Sequence, residues 1–324
     1  MGSTPILDGL RAGQPPVGVP GETHAVLVAR HDDLLCEFYA NEASVPCGPD
    51  TTHRSWSVAK SVVHAVVGTM LLDPDLPGGP LDLNAPAAVA AWRDDERQAI
   101  TLNHLLDMRS GLAWNEEYAD TDESDVVAML WGAGRHDVAA YAAARPLAAA
   151  PGSTWYYSSG TTNIICRILS DALVGAGGDH NPADATPAAR RAAFETYCRG
   201  HLFGPVGMTR ATAKFDDAGT FVGSSFLFAT ARDYLRFGQL YADGGVVGAT
   251  RILPEGWTTR AGARTSAGDE PDLDYGSHWW LFNQLPGSLA ACGYEGQFVI
   301  VLPAERLVVV RLGRTPIDDD PVVR

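Results

Sequence analysis

Lysine is nearly absent from this chain: its 324 residues include only Lys60 and Lys214. Cysteine is sparse and unpatterned. Cys36, Cys47, Cys166, Cys198 and Cys292 are odd in number, widely spaced and free of any C-x-x-C pair, which speaks against a disulfide framework. The histidines form neither H-E-x-x-H nor H-x-H, so no metal site is expected. No apolar run approaches the roughly 18 residues a membrane helix needs. The opening MGSTPILDGL has neither the basic nor the apolar stretch of a leader, which predicts a cytoplasmic protein unless a leader has been removed. A net charge of −15 opposes binding to nucleic acid or to an anionic membrane.

What is there is the composition of a soluble globular enzyme, 46% hydrophobic and 19% charged. The length fits one α/β core carrying an inserted lobe better than two independent domains. HAVLVARHDDLLCEFYA (24–40) reads as two short strands around a polar turn. TTHRSWSVAKSVVHAVVGTMLL (51–72) reads as a loop entering an apolar helix, ended by the Pro- and Gly-rich PDLPGGPLDLNAP. From about 85 to 210 the pattern is helical. Within that stretch NEEYADTDESD (115–125) is expected to face solvent, and GAGGDHNPADATPAAR (175–190) to form a surface loop. Residues 213–240 read as an extended segment followed by a helix that starts at Ala229 or Thr230 and ends at Gly244. YGSHWWLF (275–282) reads as a strand, and FVIVL and RLVVVRLG around PAE as a hairpin. Strands at both ends with helices between predict an α/β (α+β) architecture. One antiparallel sheet would be built from residues 1–84 and 211–324 and flanked by helices, with a mainly helical lobe at 85–210. The last residues, RTPIDDDPVVR, show no evident helix to cover the sheet.

Where lysine is this rare, one placed three residues after a serine stands out. Ser57-Val58-Ala59-Lys60 is the only S-x-x-K in the chain, at the start of an otherwise apolar helix. Residues three apart share a helix face, so the Ser57 hydroxyl and the Lys60 amine can meet. A serine needs an adjacent base to become a nucleophile. A lysine serves as that base only where its environment disfavours the ammonium, and Trp56, Val58, Val62 and Val63 are compatible with such a pocket. The N-terminus of a helix also favours developing negative charge. A second cluster, Trp155-Tyr156-Tyr157-Ser158-Ser159-Gly160, lies at a loop before another apolar helix. A tyrosine there can relay a proton to a leaving group; Tyr157 is the candidate, with Ser159 as a hydrogen-bonding partner. A third, Ala291-Cys292-Gly293-Tyr294-Glu295-Gly296-Gln297, leads into FVIVL. Its glycine allows close approach to a strand edge, where backbone N–H groups can form half of an oxyanion hole.

In this order the three motifs resemble those of the serine β-lactamase, penicillin-binding-protein and esterase family: S-x-x-K, then Y-x-N or Y-x-S, then a [K/H]-T-G-like strand. ITLNHLLDMRSGLAWNEEY (100–118), LFGPVGMTRA (202–211) and the GQFVIVLPAERLVVVRLG ending extend the likeness over most of residues 25–313. LLDMRSGLAWNEEY and the G-x-x-G-Q ending look closest to the class C-like branch, which includes 6-aminohexanoate-oligomer hydrolases and carboxylesterases. The resemblance implies a β-lactamase/transpeptidase-like fold and hydrolysis of a small amide or ester through a Ser57 acyl-enzyme. It also implies Lys60 as general base, Tyr157 as proton relay, and the backbone N–H groups of Ser57 and Tyr294 as oxyanion hole. No metal or organic cofactor is called for. Ser159, Gly293, Trp114, Glu117, Tyr118 and Tyr156 are candidates for contacting substrate, whereas Asp107 and Arg109 are expected to hold the lobe together. Two departures stand out. Ala291 replaces the Lys or His of the third motif, removing a cation that penicillin-type substrates use, and Ser159 stands where class C β-lactamases have Asn. Both count against efficient β-lactamase activity and leave esterase and linear-amide hydrolase open, while the missing cation and the lack of a visible leader count against a D-alanyl peptidase. A non-catalytic sensor on the same fold is disfavoured, since it has no need of Ser57, Lys60 and Tyr157 together. The sequence does not give the oligomeric state.

Overall fold

In the computed structural model, which describes residues 21–41, 46–118, 124–175, 185–267 and 272–316, the first alternating stretch becomes an antiparallel pair. These strands are β1 (Glu22–Arg30) and β2 (Asp33–Tyr39), turning at His31 and Asp32. The strands that matter below are β3 (Thr52–Arg54), β4 (Leu227–Thr230), β5 (Ser266–Ala267), β6 (Leu273–Tyr275), β7 (Trp280–Phe282), β8 (Leu289–Gly293), β9 (Gln297–Leu302) and β10 (Leu307–Arg314). The longer helices among the described residues are α1 (Val58–Leu71), α2 (Ser159–Val174), α3 (Pro187–Cys198) and α4 (Ala231–Ala242). The chain divides into two compact units, one of Met1–Ser61, Phe203–Thr212 and Leu227–Arg324, the other of Val62–Leu202 and Ala213–Phe226. Helix α1 begins in the first and continues in the second.

The first unit is built on an antiparallel sheet of order β2-β1-β10-β9-β8-β7-β6-β5, so strands from both ends of the sequence lie side by side. Alternation places Ala25, Leu27 and Ala29 of β1, Val299 and Val301 of β9, and Val308, Val310 and Leu312 of β10 on one buried face. Each of the larger side chains contributes about 1.5–3 kcal/mol on burial. Helix α4 covers this face. It starts where the sequence predicts, because Thr230 accepts from Asp233 N while Asp233 accepts from Thr230 N, a capping box. Gly238 brings it close: a Cβ there would lie 2.5 Å from Val308 Cγ1.

The stretch YGSHWWLF is not one strand. It is a hairpin, with β6 and β7 paired Tyr275↔Trp280 and the chain reversing through Gly276–Trp279. Gly276 N donates to Trp279 O at 2.9 Å, and His278 takes a left-handed conformation, φ 55°. Alternating apolar residues do not distinguish a strand from a tight hairpin whose turn is itself buried, as Ser277, His278 and Trp279 are. Trp279 stacks on Phe237 of α4 and meets Tyr241.

His53 of β3 provides a pH probe of this unit. Burial, then the neighbouring His24 ring, pushes its pKa down to about 4 from an unfolded value of 6.5. The unfolded chain therefore binds the extra proton first. Stability is full above pH 6.5 and falls towards pH 4, with a slope of at most about 1.4 kcal/mol per pH unit. Thermal melts between pH 7 and 5 are expected to show this loss, and His53→Gln to flatten it.

The second unit is mainly helical. Its centre is α2, capped by Ser158, whose hydroxyl accepts from Thr161 N, and buried through most of its length. Short helices Leu102–Leu106 and Val138–Ala143 and the longer α3 pack around it. Gly160 allows a close approach, since a Cβ there would meet the Trp114 ring at 2.6 Å. The expected surface loop ends sooner than predicted: Thr186 caps α3 through Ala189 N with Pro187 in the first turn, so residues 187–190 are helical. Residues 176–184 of that loop, 119–123 of the acidic stretch and the C-terminal residues from 317 lie outside the described residues. All five cysteines are buried, and none of them is in a disulfide. Among the described residues, no helix is long and apolar enough to cross a membrane.

Candidate active site

The segment that carries Ser57 is fixed from both sides. Ser55 is fully buried; its N–H donates to Leu227 O at 2.8 Å and its hydroxyl accepts from Leu227 N at 3.1 Å. Trp56 follows in a left-handed conformation, φ 46°, and the chain then winds into α1. Val58, Ala59 and Lys60 donate back to the carbonyls of Ser55, Trp56 and Ser57, a tight first turn. Ser57 thus sits at the N-terminal end of a 14-residue helix with Lys60 directly above it. Lys60 Nζ lies 2.8 Å from Ser57 Oγ and donates to it, although only 2% of Lys60 is exposed. A buried amine touching a serine hydroxyl is the local arrangement the S-x-x-K spacing predicts.

The third motif lies in the same unit. β8 ends at Gly293, which pairs with Gln297 across a turn of three residues. Gly293 is needed for close approach: a Cβ would stand 2.4 Å from Ser55 O and 3.1 Å from Trp56 Cβ. Gly293→Ala should therefore push β8 away from the segment that carries Ser57, costing about 1–3 kcal/mol in denaturant unfolding and lowering kcat together with stability. Ala291 and Cys292 are both buried, and no cation stands at position 291. Glu295, in the turn, accepts from Trp56 Nε1 at 3.1 Å.

The second unit gathers the residues of the other motif around a carboxylate the sequence reading passed over. Glu116 Oε2 accepts from Trp114 Nε1 at 2.5 Å and from Ser159 N at 2.8 Å; its Oε1 accepts from the Ser159 hydroxyl at 2.5 Å and faces the Tyr118 hydroxyl at 3.3 Å. Ser159 is completely buried, with both its donors committed to this carboxylate. Burial, then the charge of Glu116 and then Tyr157, pushes the Tyr118 phenol well above its ordinary value. The NEEY segment therefore does not simply face solvent. Neighbouring side chains of an extended segment point to opposite sides, so Glu116 turns inward while Glu117 is exposed, its Oε1 accepting from Tyr118 N. The signal available in the sequence was the Trp-x-Glu spacing, a buried indole N–H that needs an acceptor. Tyr157 is half-buried immediately before the cap of α2, Tyr156 is 46% exposed, and Trp114 packs against Gly160. Arg109 ties its loop to the next: its guanidinium donates to Ser153 O, and its carbonyl accepts from Gly152 N.

Known proteins match this chain in sequence and in fold. The beta-lactamase family model matches residues 22–322. The chain belongs to the beta-lactamase family. Within it, the chain is 26% identical over 315 residues to the 6-aminohexanoate-dimer hydrolase of Paenarthrobacter ureafaciens, covering 92% of this chain and 74% of that one. Among solved structures, a Bacillus anthracis protein assigned as a 6-aminohexanoate-dimer hydrolase superposes with a TM-score of 0.71 at 20% identity, covering 96% of this chain and 76% of that one. A family VIII carboxylesterase superposes with a TM-score of 0.63 at 16% identity, covering 91% and 87%. The protein is a hydrolase of the beta-lactamase family, with the β-lactamase/transpeptidase-like fold.

Proposed function

We propose that the protein hydrolyses linear amides or esters of small molecules through an acyl-enzyme on Ser57. The observation that carries this reading is the 2.8 Å contact between the buried Lys60 amine and Ser57 Oγ. As Ser57 Oγ attacks the carbonyl carbon, its proton passes to Lys60 Nζ and a tetrahedral oxyanion forms. The oxyanion is assigned to the N–H groups of Ser57 and Tyr294. Among the described residues no acceptor is paired with the Ser57 N–H, which leaves it available at the helix terminus. Tyr157, placed by motif order, delivers a proton to the departing amine or alkoxide, and water then cleaves the ester to Ser57. The proton that Lys60 gains from Ser57 makes good the one that Tyr157 gives up, so the acylation step balances.

Linear amides and esters are favoured over β-lactams because a buried Ala291 offers no charge to a substrate carboxylate. The hydrolase relatives named above, on a 6-aminohexanoate dimer and on carboxylic esters, support the same preference. The test is labelling by a fluorophosphonate probe and turnover of a short p-nitrophenyl ester, beside Ser57→Ala and Lys60→Ala, followed by a panel of esters, linear amides and β-lactams. Labelling and turnover that vanish in both variants support the reading. An unlabelled native protein overturns it.

A further inference from the structure

The oxyanion hole assigned above draws its two donors from remote parts of the sequence, and such donors act only when their spacing is fixed before the reaction. Each donor has a neighbour that contacts the other's neighbour. Trp56 precedes Ser57, Glu295 follows Tyr294, and Trp56 Nε1 donates to Glu295 Oε2 at 3.1 Å. The Trp56 ring also meets the Tyr294 ring edge-on, 5.2 Å between centroids at 77°. Both Trp56 and Glu295 hold left-handed backbones, φ 46° and 63°, a conformation that residues with a Cβ keep only when their surroundings impose it.

The turn is held from behind as well. Gln297 Nε2 donates to Gly313 O at 2.6 Å and reaches Tyr294 O and Glu295 O at 3.3 and 3.2 Å. Arg311 Nη1 donates to Gly296 O at 2.7 Å and Glu295 O at 3.1 Å, and Thr315 N adds a third donor to Glu295 O at 2.9 Å. Gln297 and Arg311 are both buried. The backbone of the turn is thereby tied to β10, while the Glu295 side chain extends to the segment that carries Ser57. Arg314 approaches the other oxygen, Oε1, at 3.4 Å, so Oε2 is left to the indole.

We infer that the Trp56–Glu295 contact is a strut that sets the distance between the two oxyanion donors, which makes Glu295 a positioning residue for the transition state rather than a group that holds substrate. The inference rests on the assignment of Ser57 and Tyr294 made above. A surface ion pair between Glu295 and Arg314 alone would leave catalysis unaffected, because exposed pairs of this kind fix little.

The experiment compares Glu295→Ala, Glu295→Gln, Trp56→Phe and the double variant Trp56→Phe/Glu295→Ala on a p-nitrophenyl ester. Inhibition by an arylboronic acid is measured in parallel, since its serine adduct places an oxygen in the hole. Glu295→Ala and Trp56→Phe are each expected to lower kcat roughly tenfold to a hundredfold, with KM nearly constant. Boronate affinity should weaken in step with kcat. Glu295→Gln keeps an oxygen acceptor for the indole and should retain most of the activity. The double variant should be little worse than either single one, as expected of two ends of one contact. The strut is overturned if kcat is unchanged, if the two effects add, or if Glu295→Gln is as impaired as Glu295→Ala while KM and melting temperature move too. Fluorophosphonate labelling of the native protein separates the two levels. A native protein that labels while Glu295→Ala keeps its kcat sinks the strut alone, whereas a native protein that does not label sinks the assignment of Ser57 and the strut with it.

Discussion

Ser57→Ala is expected to lower kcat for ester or amide hydrolysis by about 10⁴-fold or more, the scale on which loss of a nucleophile acts in serine hydrolases. The substitution removes one oxygen from a half-buried side chain whose side-chain hydrogen bond is the one from Lys60. The backbone of residues 55–60 is held independently, by Ser55 against Leu227 and by the i→i+3 bonds of the first helical turn. The variant should therefore fold normally, bind substrate with similar affinity and fail at the chemical step. Purified Ser57→Ala that still hydrolyses at more than a few per cent of the native rate would place the reaction elsewhere.

Lys60→Met is the second large effect, an expected loss of about 10³-fold or more in kcat without loss of stability. Methionine has nearly the length of the lysine stem and no charge. Replacing a buried ionisable group by an apolar chain of similar volume is often neutral or stabilising. Activity and melting temperature should then part company, kcat collapsing while the melting temperature holds or rises, as expected where a site is kept at the expense of stability. Lys60→Arg should not rescue the rate, because a guanidinium stays protonated and cannot accept the Ser57 proton. An active Lys60→Arg enzyme would remove Lys60 as the base and reduce it to a positioning charge.

Much of the fold was legible because its signals are local. The HDD turn, the PAE hairpin and the Thr230 cap each depend on a handful of adjacent residues, and each forms where the sequence places it. The Ser57–Lys60 contact was legible for the same reason, since a three-residue spacing on a helix fixes it. What escaped was decided by residues distant in sequence. The break at Gly276 depends on Ala261, whose carbonyl would stand 2.0 Å from a Cβ at that position. Glu116 turns inward because Ser159, forty-three positions on, supplies two donors to its carboxylate. Composition alone made NEEY look solvated, and no pattern within the segment says which of two adjacent acids will be buried. The link from Trp56 to Glu295 joins opposite ends of the chain and was likewise invisible.

The adjacency of β1 and β10 has a consequence for the order of events at the ribosome. Ser57 and Lys60 are synthesised early, yet β1, already paired with β2, gains its second partner only when Leu307–Arg314 has been made, and the turn that contacts Trp56 emerges just before it. Pairings this remote are slow to form, because the loop between them must close before any contact rewards it. Nascent chains that stop short of residue 290 carry the whole S-x-x-K helix but neither the strand that supports it nor the turn beside it. Hydrolytic competence should therefore appear late and abruptly, with the final two strands, rather than grow with chain length.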